Sequence, residues 1–312
     1  MRIDQPQVHV KVVLFRPTPG SLRYSMAIHP LAVVDSAAEV HPEAIVGPFC
    51  VIRGRVRIAQ GVELRNSVSV YGPANIGAGT ICFPGAVIGS DPQDLKFKGE
   101  DSRTEIGKEC RIHEYVTVSK GTESGGMLTA IGDGTLIMAY AHIAHDCVVG
   151  TQCVIGNNAQ LAGHIKVEDR AIISGMVGIH HFATIGERAF VGGMSSVRFD
   201  IPPFLIADGH PAEPRNVNIV GLRRDGVADE DIRRLRDAFK RLYHSRGTRP
   251  LSAVVAELGT ELRPEEQTRP LGRLLAWLDN HLKTAVDGRL LEASRMPAIG
   301  KRMMAETGHA EL

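Results

Sequence analysis

The composition of this 312-residue chain excludes several classes of protein before any motif is considered. Hydrophobic residues make up 43% of the chain, which is enough for a folded core and excludes an intrinsically disordered protein. Because 36 basic residues balance 35 acidic ones, no global electric field attracts nucleic acid or an anionic membrane. No apolar run approaches the ~20 residues of a membrane-spanning helix, so we expect no membrane insertion and a cytoplasmic protein.

The first 25 residues show no regular pattern, and we predict a disordered N-terminal extension over residues 1–25. The apolar stretch at 10–15 is interrupted by Lys11, is too short for the core of a signal peptide, and lacks a small-residue cleavage site behind it. Export is therefore not expected. Met26 immediately precedes the first regular pattern and is a candidate start of translation.

Residues 26–208 carry an aliphatic residue at every sixth position, and the position four residues later is usually small. Neither a helix nor an alternating strand has this period. A period of six is produced by one short strand and one turn per hexad, with the aliphatic and the small side chain both pointing inward. Three hexads then form one coil, and stacked coils pair at about 4.8 Å, so residues 18 apart should lie above one another. The aliphatic positions are Ile28, Val34, Val40, Val46, Ile52, Ile58, Leu64, Val70, Ile76, Cys82, Ile88, Ile106, Ile112, Val118, Ile131, Ile137, Ile143, Val149, Ile155, Leu161, Val167, Ile173, Ile179, Ile185, Val191 and Val197.

Two polar, glycine-rich stretches interrupt the period and are predicted to be loops that leave the stack, at 89–105 and 119–130. Loops on rigid scaffolds often carry function. The five cysteines are predicted to be core residues rather than nucleophiles or disulfide partners, because each occupies an inward position. They are Cys50, Cys82, Cys110, Cys147 and Cys153.

The hexads stop after Ile201, and the segment 209–214 reads as a hinge into a small α-helical domain at 209–286. A first helix is predicted from Asp229, because apolar residues recur at helical spacing up to Tyr243. Two further helical segments are predicted around 254–262 and 271–282, with Trp277 in their core. Residues 287–312 are predicted to be a tail.

Histidines crowd into neighbouring coils at positions that do not point inward. The spacing of 18 stacks Asp146 with His164, and it puts His145, Gly163 and His181 in one column. A histidine beside a carboxylate on a rigid strand can act as a general base. The alternative is that these histidines decorate a surface or a contact between subunits. The histidines concerned are His142, His145, His164, His180 and His181.

Several motifs resemble the family of UDP-N-acetylglucosamine O-acyltransferases, the first enzymes of lipid A synthesis. The resemblance extends from about Met26 to about Leu282 and is more specific than a hexapeptide repeat, which many acyltransferases share. It implies a mainly β fold, a left-handed parallel β-helix followed by a small α-helical C-terminal domain; the period itself does not define the handedness. The matching segments are 47–50, 91–96, 99–100, 142–147, 157–164, 218–219 and 221–224.

The resemblance implies that His145 takes the proton from the sugar 3-hydroxyl as that oxygen attacks an acyl thioester. Asp146 would orient the imidazole, and the backbone N–H of Gly163 would donate a hydrogen bond to the developing oxyanion. No cofactor, metal or covalent intermediate is implied. Gly193 would bound the acyl groove. The residues implied in substrate binding are Gln93, Asp94, Lys96, His142, His164, His180, Asn218 and Arg224.

The implied partners are UDP-N-acetylglucosamine, a 3-hydroxyacyl group on acyl carrier protein, and two further copies of the chain in a homotrimer with sites between subunits. Acyl carrier protein is acidic, so a basic surface is a candidate docking site. Its residues are Arg223, Arg224, Arg233, Arg234 and Arg236. A solvated helix face is the alternative interpretation of these arginines.

Some positions depart from the family pattern and make the nucleotide and carrier contacts less certain than the catalytic pair. Val220 replaces a typical Glu, Asp225 a basic residue, His181 a common Gln, and Ser119-Lys120 a common His-Arg pair. Phe190 is bulky beside the acyl groove, which leaves the chain length open.

Three competing functions are considered. The N-acyltransferase of the same pathway typically carries a uridine-binding domain ahead of its β-helix, whereas hexads begin here by Ile28. A zinc hydratase resembling γ-class carbonic anhydrase would use three imidazoles as ligands, but Asp146 beside His164 and the matched sugar loop argue against it. A non-catalytic scaffold would tolerate loss of His145.

Overall fold

The computed structural model describes residues 27–284, with side chains through Leu282. The predictions for 1–25, for Met26 and for 287–312 concern residues outside this range. Within it, short parallel strands form a three-sided prism, and helices follow at its C-terminal end. The prediction of a mainly β, left-handed parallel β-helix with C-terminal helices is confirmed.

Each side of the prism is one parallel sheet that receives every third strand. Sheet 1 runs from β1 to β25, sheet 2 from β2 to β23, and sheet 3 from β3 to β24 with β26 and β27 added at its end. The strands, in chain order, are β1 Val33–Val34, β2 Glu39–Val40, β3 Ile45–Val46, β4 Val51–Arg53, β5 Val56–Ile58, β6 Glu63–Leu64, β7 Ser69–Tyr71, β8 Ala74–Ile76, β9 Ile81–Cys82, β10 Val87–Ser90, β11 Arg103–Ile106, β12 Arg111–Ile112, β13 Thr117–Ser119, β14 Leu128–Ile131, β15 Leu136–Ile137, β16 His142–Ile143, β17 Val148–Val149, β18 Val154–Ile155, β19 Gln160–Leu161, β20 Lys166–Val167, β21 Ile172–Ile173, β22 Gly178–Ile179, β23 Thr184–Ile185, β24 Phe190–Val191, β25 Ser196–Val197, β26 Leu205–Gly209 and β27 Ala212–Val217.

The register between neighbouring coils is the predicted one. His142 pairs with Gln160, and Gln160 pairs with Gly178, so each step of 18 residues climbs one coil. The inward aliphatic residues form one continuous core along the prism, from Ala44 to Ala212. The stacked aliphatic residues of this core therefore fix the position of every outward side chain along the axis of the prism.

The two interruptions leave the stack over narrower ranges than predicted. The ends of the predicted loops join the sheets as β10, β11, β13 and β14, because their backbone groups find partners on neighbouring coils. The first loop therefore spans 91–102 and the second 120–127, with a short 3-10 helix at Glu123–Gly125.

The prediction of a hinge at 209–214 is wrong. Strands β26 and β27 are antiparallel and meet at His210 and Pro211, so this segment is the turn of a hairpin that extends sheet 3. A tight turn and a linker share the same glycine and proline composition, which explains the error.

The helices follow this hairpin and have a core of their own, into which Phe204, Leu205 and Val217 of the hairpin region pack. Trp277 packs against this core and stacks on His281 with ring centroids 5.4 Å apart. The helices are α1 Ile219–Arg224, α2 Asp229–Phe239, α3 Leu251–Thr260 and α4 Pro270–Thr284, with a π-helical turn at Lys240–His244 and a 3-10 turn at Pro264–Glu266.

The cysteines are buried and free, as predicted. Burial raises the pKa of the Cys147 and Cys153 thiols to about 12, so little thiolate forms at neutral pH. We expect the folded protein to resist a thiol-specific reagent such as dithionitrobenzoate, and all five thiols to react after denaturation. Rapid release of thionitrobenzoate by the folded protein would contradict this prediction.

Candidate active site

The predicted histidine cluster lies at the corner between sheets 1 and 2, in the turns that follow β16 and β19. Asp146 and His164 occupy equivalent turn positions in the left-handed region, with φ of 60° and 64°. The backbone N–H of His164 donates to the carbonyl of His145 at 3.0 Å, which fixes one turn above the other. The stacking predicted from the spacing of 18 residues is therefore present.

His145 and Asp146 form a buried, hydrogen-bonded pair. The imidazole Nδ1 lies 2.8 Å from Oδ2 of the carboxylate, and the two residues are only 7% and 6% exposed. Burial alone would raise the pKa of Asp146, but hydrogen bonds from His145 and Thr122 outweigh it and hold the pKa below its ordinary value. An ionised carboxylate can only accept hydrogen bonds. Nδ1 of His145 must therefore donate, and in the neutral imidazole this places the lone pair that a general base needs on Nε2.

Residues of the second loop and of the adjacent strand β14 also hold Asp146 in place. The Thr122 N–H donates to Oδ1 at 2.8 Å and its hydroxyl donates to Oδ2 at 2.5 Å, while the Asp146 N–H donates to the Thr129 hydroxyl at 2.8 Å. A Cβ on Gly125 would stand 1.9 Å from the carboxylate carbon, so only glycine fits there. Sequence reasoning missed these three residues, because no period relates a loop to a coil.

Gly163 and His164 line the other edge of the His145 ring. A Cβ on Gly163 would lie 2.5 Å from Cε1 and 2.7 Å from Nε2 of His145, so glycine lets the backbone approach the basic nitrogen. The His164 ring meets that of His145 edge-on with centroids 5.0 Å apart, and its Nδ1 lies 3.9 Å from Oδ2 of Asp146. Phe182, which was also not predicted, stacks on His164 at 4.5 Å.

The first loop brings Asp94 to the cluster. Its Oδ2 lies 4.0 Å from Nε2 of His145, and its Oδ1 accepts the backbone N–H of Lys96 at 2.9 Å. The side chains of Gln93 and Lys96 are exposed at the loop surface. An acidic side chain therefore faces the basic nitrogen across a gap that is too wide for a direct hydrogen bond.

A shallow groove of about 580 Å³ runs from this corner across the face of sheet 1. His142 lies at its edge, with Nδ1 2.7 Å from the Thr117 hydroxyl, and burial followed by repulsion from His145 lowers the pKa of His142. His180 and His181 line the same groove, with ring centroids 5.5 Å apart. The lowered pKa of His142 favours its neutral form, whose ring can both donate and accept a hydrogen bond at the edge of the groove.

The remaining predicted site residues lie at the other two corners of the prism. Asn218 and Arg224 line a cavity of about 210 Å³ at the corner between sheets 2 and 3. Both polar groups of Asn218 are engaged inside the chain: its amide donates to the Arg188 carbonyl at 3.0 Å, and its oxygen caps α1 at Gly221. Gly193 is exposed at the corner between sheets 3 and 1, where an added Cβ would meet Gly175 no closer than 3.5 Å.

Asp225, one of the departures from the family pattern, has a partner within the chain. Its Oδ2 accepts Arg188 Nε at 2.8 Å and lies 3.5 Å from Arg170 Nη1. The single negative charge of this carboxylate offsets part of the positive charge of two guanidinium groups that line the same cavity as Arg224. The substitution therefore changes the charge of this corner, and Arg224 remains exposed.

The predicted docking arginines divide into two groups. Arg234 is half-buried and donates to Glu266, a carboxylate that is only 2% exposed, so it stabilises the helical core. Arg223 is exposed and pairs with Asp229 at 2.9 Å. Arg233 and Arg236 are exposed on α2. The exposed members thus remain available to an acidic surface.

His145, Asp146 and His164 also place three potential metal ligands within 4.8 Å of one another. However, the oxygens of Asp146 already accept three hydrogen bonds, from the Thr122 N–H, the Thr122 hydroxyl and His145. The carboxylate is therefore committed to orienting an imidazole. Among the helices of residues 27–284, none has the length and apolar character needed to cross a membrane.

Two family models match the chain, one in the β-helix and one over the C-terminal hairpin and helices. Residues 200–280 match the second domain of UDP-N-acetylglucosamine O-acyltransferase, and residues 129–163 match the bacterial transferase hexapeptide repeat. A protein of Synechocystis, named acyl-[acyl-carrier-protein]--UDP-N-acetylglucosamine O-acyltransferase, is 45% identical over 240 residues, which cover 77% of this chain and 86% of that protein.

Solved structures agree with this assignment. The UDP-N-acetylglucosamine acyltransferase of Bacteroides fragilis superposes with a TM-score of 0.75 at 34% identity, covering 81% of this chain and 97% of its own. The enzyme of the same name from Arabidopsis gives 0.72 at 31% identity, covering 81% and 96%. Identity at this level over most of both chains, together with the conserved architecture, shows that the chain belongs to the family of UDP-N-acetylglucosamine O-acyltransferases.

Proposed function

We propose that this enzyme transfers a 3-hydroxyacyl group from acyl carrier protein to the 3-hydroxyl of UDP-N-acetylglucosamine, the first step of lipid A biosynthesis, with His145 as general base. The observation that carries the proposal is the buried His145–Asp146 pair at 2.8 Å, with Nε2 beside the backbone of Gly163. Family membership supports the acyl donor and the acceptor.

The proposed reaction needs only groups of this chain. Nε2 of His145 takes the proton of the sugar 3-hydroxyl while that oxygen attacks the thioester carbonyl. The Gly163 N–H donates to the oxyanion of the tetrahedral intermediate, and Asp146 stabilises the imidazolium through Nδ1. Collapse of the intermediate breaks the carbon–sulfur bond, and the departing thiolate takes the proton from His145. The acyl ester, the free thiol and neutral His145 result.

The first loop and the groove are the proposed binding surface. Asp94, whose Oδ2 lies 4.0 Å from Nε2 of His145, accepts a hydrogen bond from a sugar hydroxyl. Gln93 and Lys96 contact the sugar from the same loop. His142, His164 and His180 line the path of the substrates, and Gly193 leaves room for an acyl chain. The exposed arginines 223, 224, 233 and 236 are proposed to meet the acidic carrier protein, whose approach should weaken with salt.

A homotrimer accounts for the distribution of these residues. His145, Arg224 and Gly193 lie at three different corners of one prism, so they can converge only if corners of different copies meet. The corner between sheets 3 and 1 also exposes a column of large apolar side chains, which is typical of an interface between subunits. Its members are Phe49, Tyr115, Tyr140, Met176 and Met194.

Replacement of His145 by Ala removes the base and should lower kcat for transfer to UDP-N-acetylglucosamine by roughly 10²- to 10⁴-fold. The assay offers acyl carrier proteins loaded with a panel of 3-hydroxy chains and detects the acylated sugar nucleotide. His41→Ala is the matched control, since His41 lies on the N-terminal coils and its ring accepts a hydrogen bond from the Glu43 N–H, within its own turn. Transfer that persists in His145→Ala would overturn the mechanism. Zinc bound to the purified active enzyme would instead favour the alternative function of a zinc hydratase.

A site shared between copies can be tested by co-assembly of two inactive variants. Chains carrying His145→Ala and chains carrying Arg224→Ala are expressed together, and mixed trimers are isolated through different tags. If each site takes His145 from one chain and Arg224 from its neighbour, one site in each isolated mixed trimer, about a third of all its sites, regains both residues. Activity no higher than that of either variant alone would contradict the shared site.

A further inference from the structure

Lys120, the first residue of the second loop, connects that loop to the first. Its backbone N–H donates to the Ser90 carbonyl at 3.0 Å, and its ammonium lies 2.9 Å from Oδ1 of Asp91. The ammonium also lies 5.8 Å above the ring of Phe97. The Lys120 side chain is only 12% exposed, so most of it is enclosed between the two loops.

The two partners of Lys120 flank the residue that faces the catalytic base. Asp91 and Phe97 lie on either side of Asp94, and the Phe97 N–H donates to the Asp94 carbonyl at 3.0 Å. A cation that contacts both ends of this short segment restricts its curvature. In this conformation of the segment, Oδ2 of Asp94 lies 4.0 Å from Nε2 of His145.

The second loop also positions Asp146, through Thr122, which follows Lys120 by two residues. Thr122 donates twice to the Asp146 carboxylate, at 2.8 Å and 2.5 Å. One short segment therefore touches the loop that carries Asp94 and the carboxylate that orients His145. A displacement of this segment would therefore change the position of Asp94 relative to the carboxylate of Asp146.

We propose that Lys120 is a positioning residue that holds the first loop in the conformation that binds the acceptor sugar. This inference rests on the proposed function, since the acceptor is identified there. A mostly enclosed ammonium must find compensating contacts, because desolvation of an unpaired charge is costly. Asp91 and the face of Phe97 supply them, and their loss would release the loop rather than the prism core.

The test compares Lys120→Met, Lys120→Arg, Asp91→Asn and the Lys120→Met/Asp91→Asn double variant. We expect Lys120→Met to raise KM for UDP-N-acetylglucosamine roughly tenfold, while KM for the acyl carrier protein changes little. Lys120→Arg keeps the charge and should restore most of the loss. Because Lys120 acts through Asp91, the double variant should be no worse than Lys120→Met. Lys108→Met, an exposed lysine on a distant turn, is the matched control.

Hydrogen–deuterium exchange provides a readout that does not depend on activity. In Lys120→Met, amides of residues 91–102 should exchange faster, while those of the prism core remain protected. Unchanged exchange of this loop, or equal rises in KM for both substrates, would overturn the inference. If the wild type transfers no acyl group to UDP-N-acetylglucosamine, the proposed function fails, whereas the exchange result still decides whether Lys120 orders the loop.

Discussion

The parallel register between coils is the constraint on which the rest of the molecule depends. Each inward aliphatic side chain packs on its counterpart one coil away, so a shift of one residue would turn the core outward. The stacked aliphatic residues therefore fix both the position of each outward side chain along the prism axis and the direction in which it points. Residues that are 18 positions apart in the chain, such as His145 and Gly163, are thereby brought together, so closely that a Cβ added to Gly163 would clash with the His145 ring.

The scaffold supplies half of the site, and the two loops supply the other half. The coils hold His145 beside Asp146, and hydrogen bonds from His145 and from Thr122 of the second loop keep the pKa of this carboxyl group below its ordinary value despite burial. The first loop then adds Asp94 in front of the imidazole. A rigid frame with two short inserts thus combines precise placement of a base with a surface that can adapt to a substrate.

The parts predicted from the sequence are those governed by the repeat. The stacking of Asp146 with His164 followed from counting residues, because a solenoid converts sequence distance into height. The contacts of Lys120 with Asp91 and of Thr122 with Asp146 could not be predicted, since no period describes the path of a loop. The hairpin at His210 was predicted to be a hinge, because tight turns and linkers share the same composition, and the ion pair of Arg234 with Glu266 was not predicted, because charge along a sequence does not reveal tertiary partners.

The hairpin at the end of sheet 3 has a consequence for the solubility of a solenoid. A stack of parallel strands presents open hydrogen-bonding groups at its last rung, and these invite a further strand from another molecule. Strand β27 runs antiparallel to β26, contains Pro214, which has no N–H to offer, and exposes Glu213 and Arg215. The terminal rung of this sheet is therefore a poor template for a strand from another molecule.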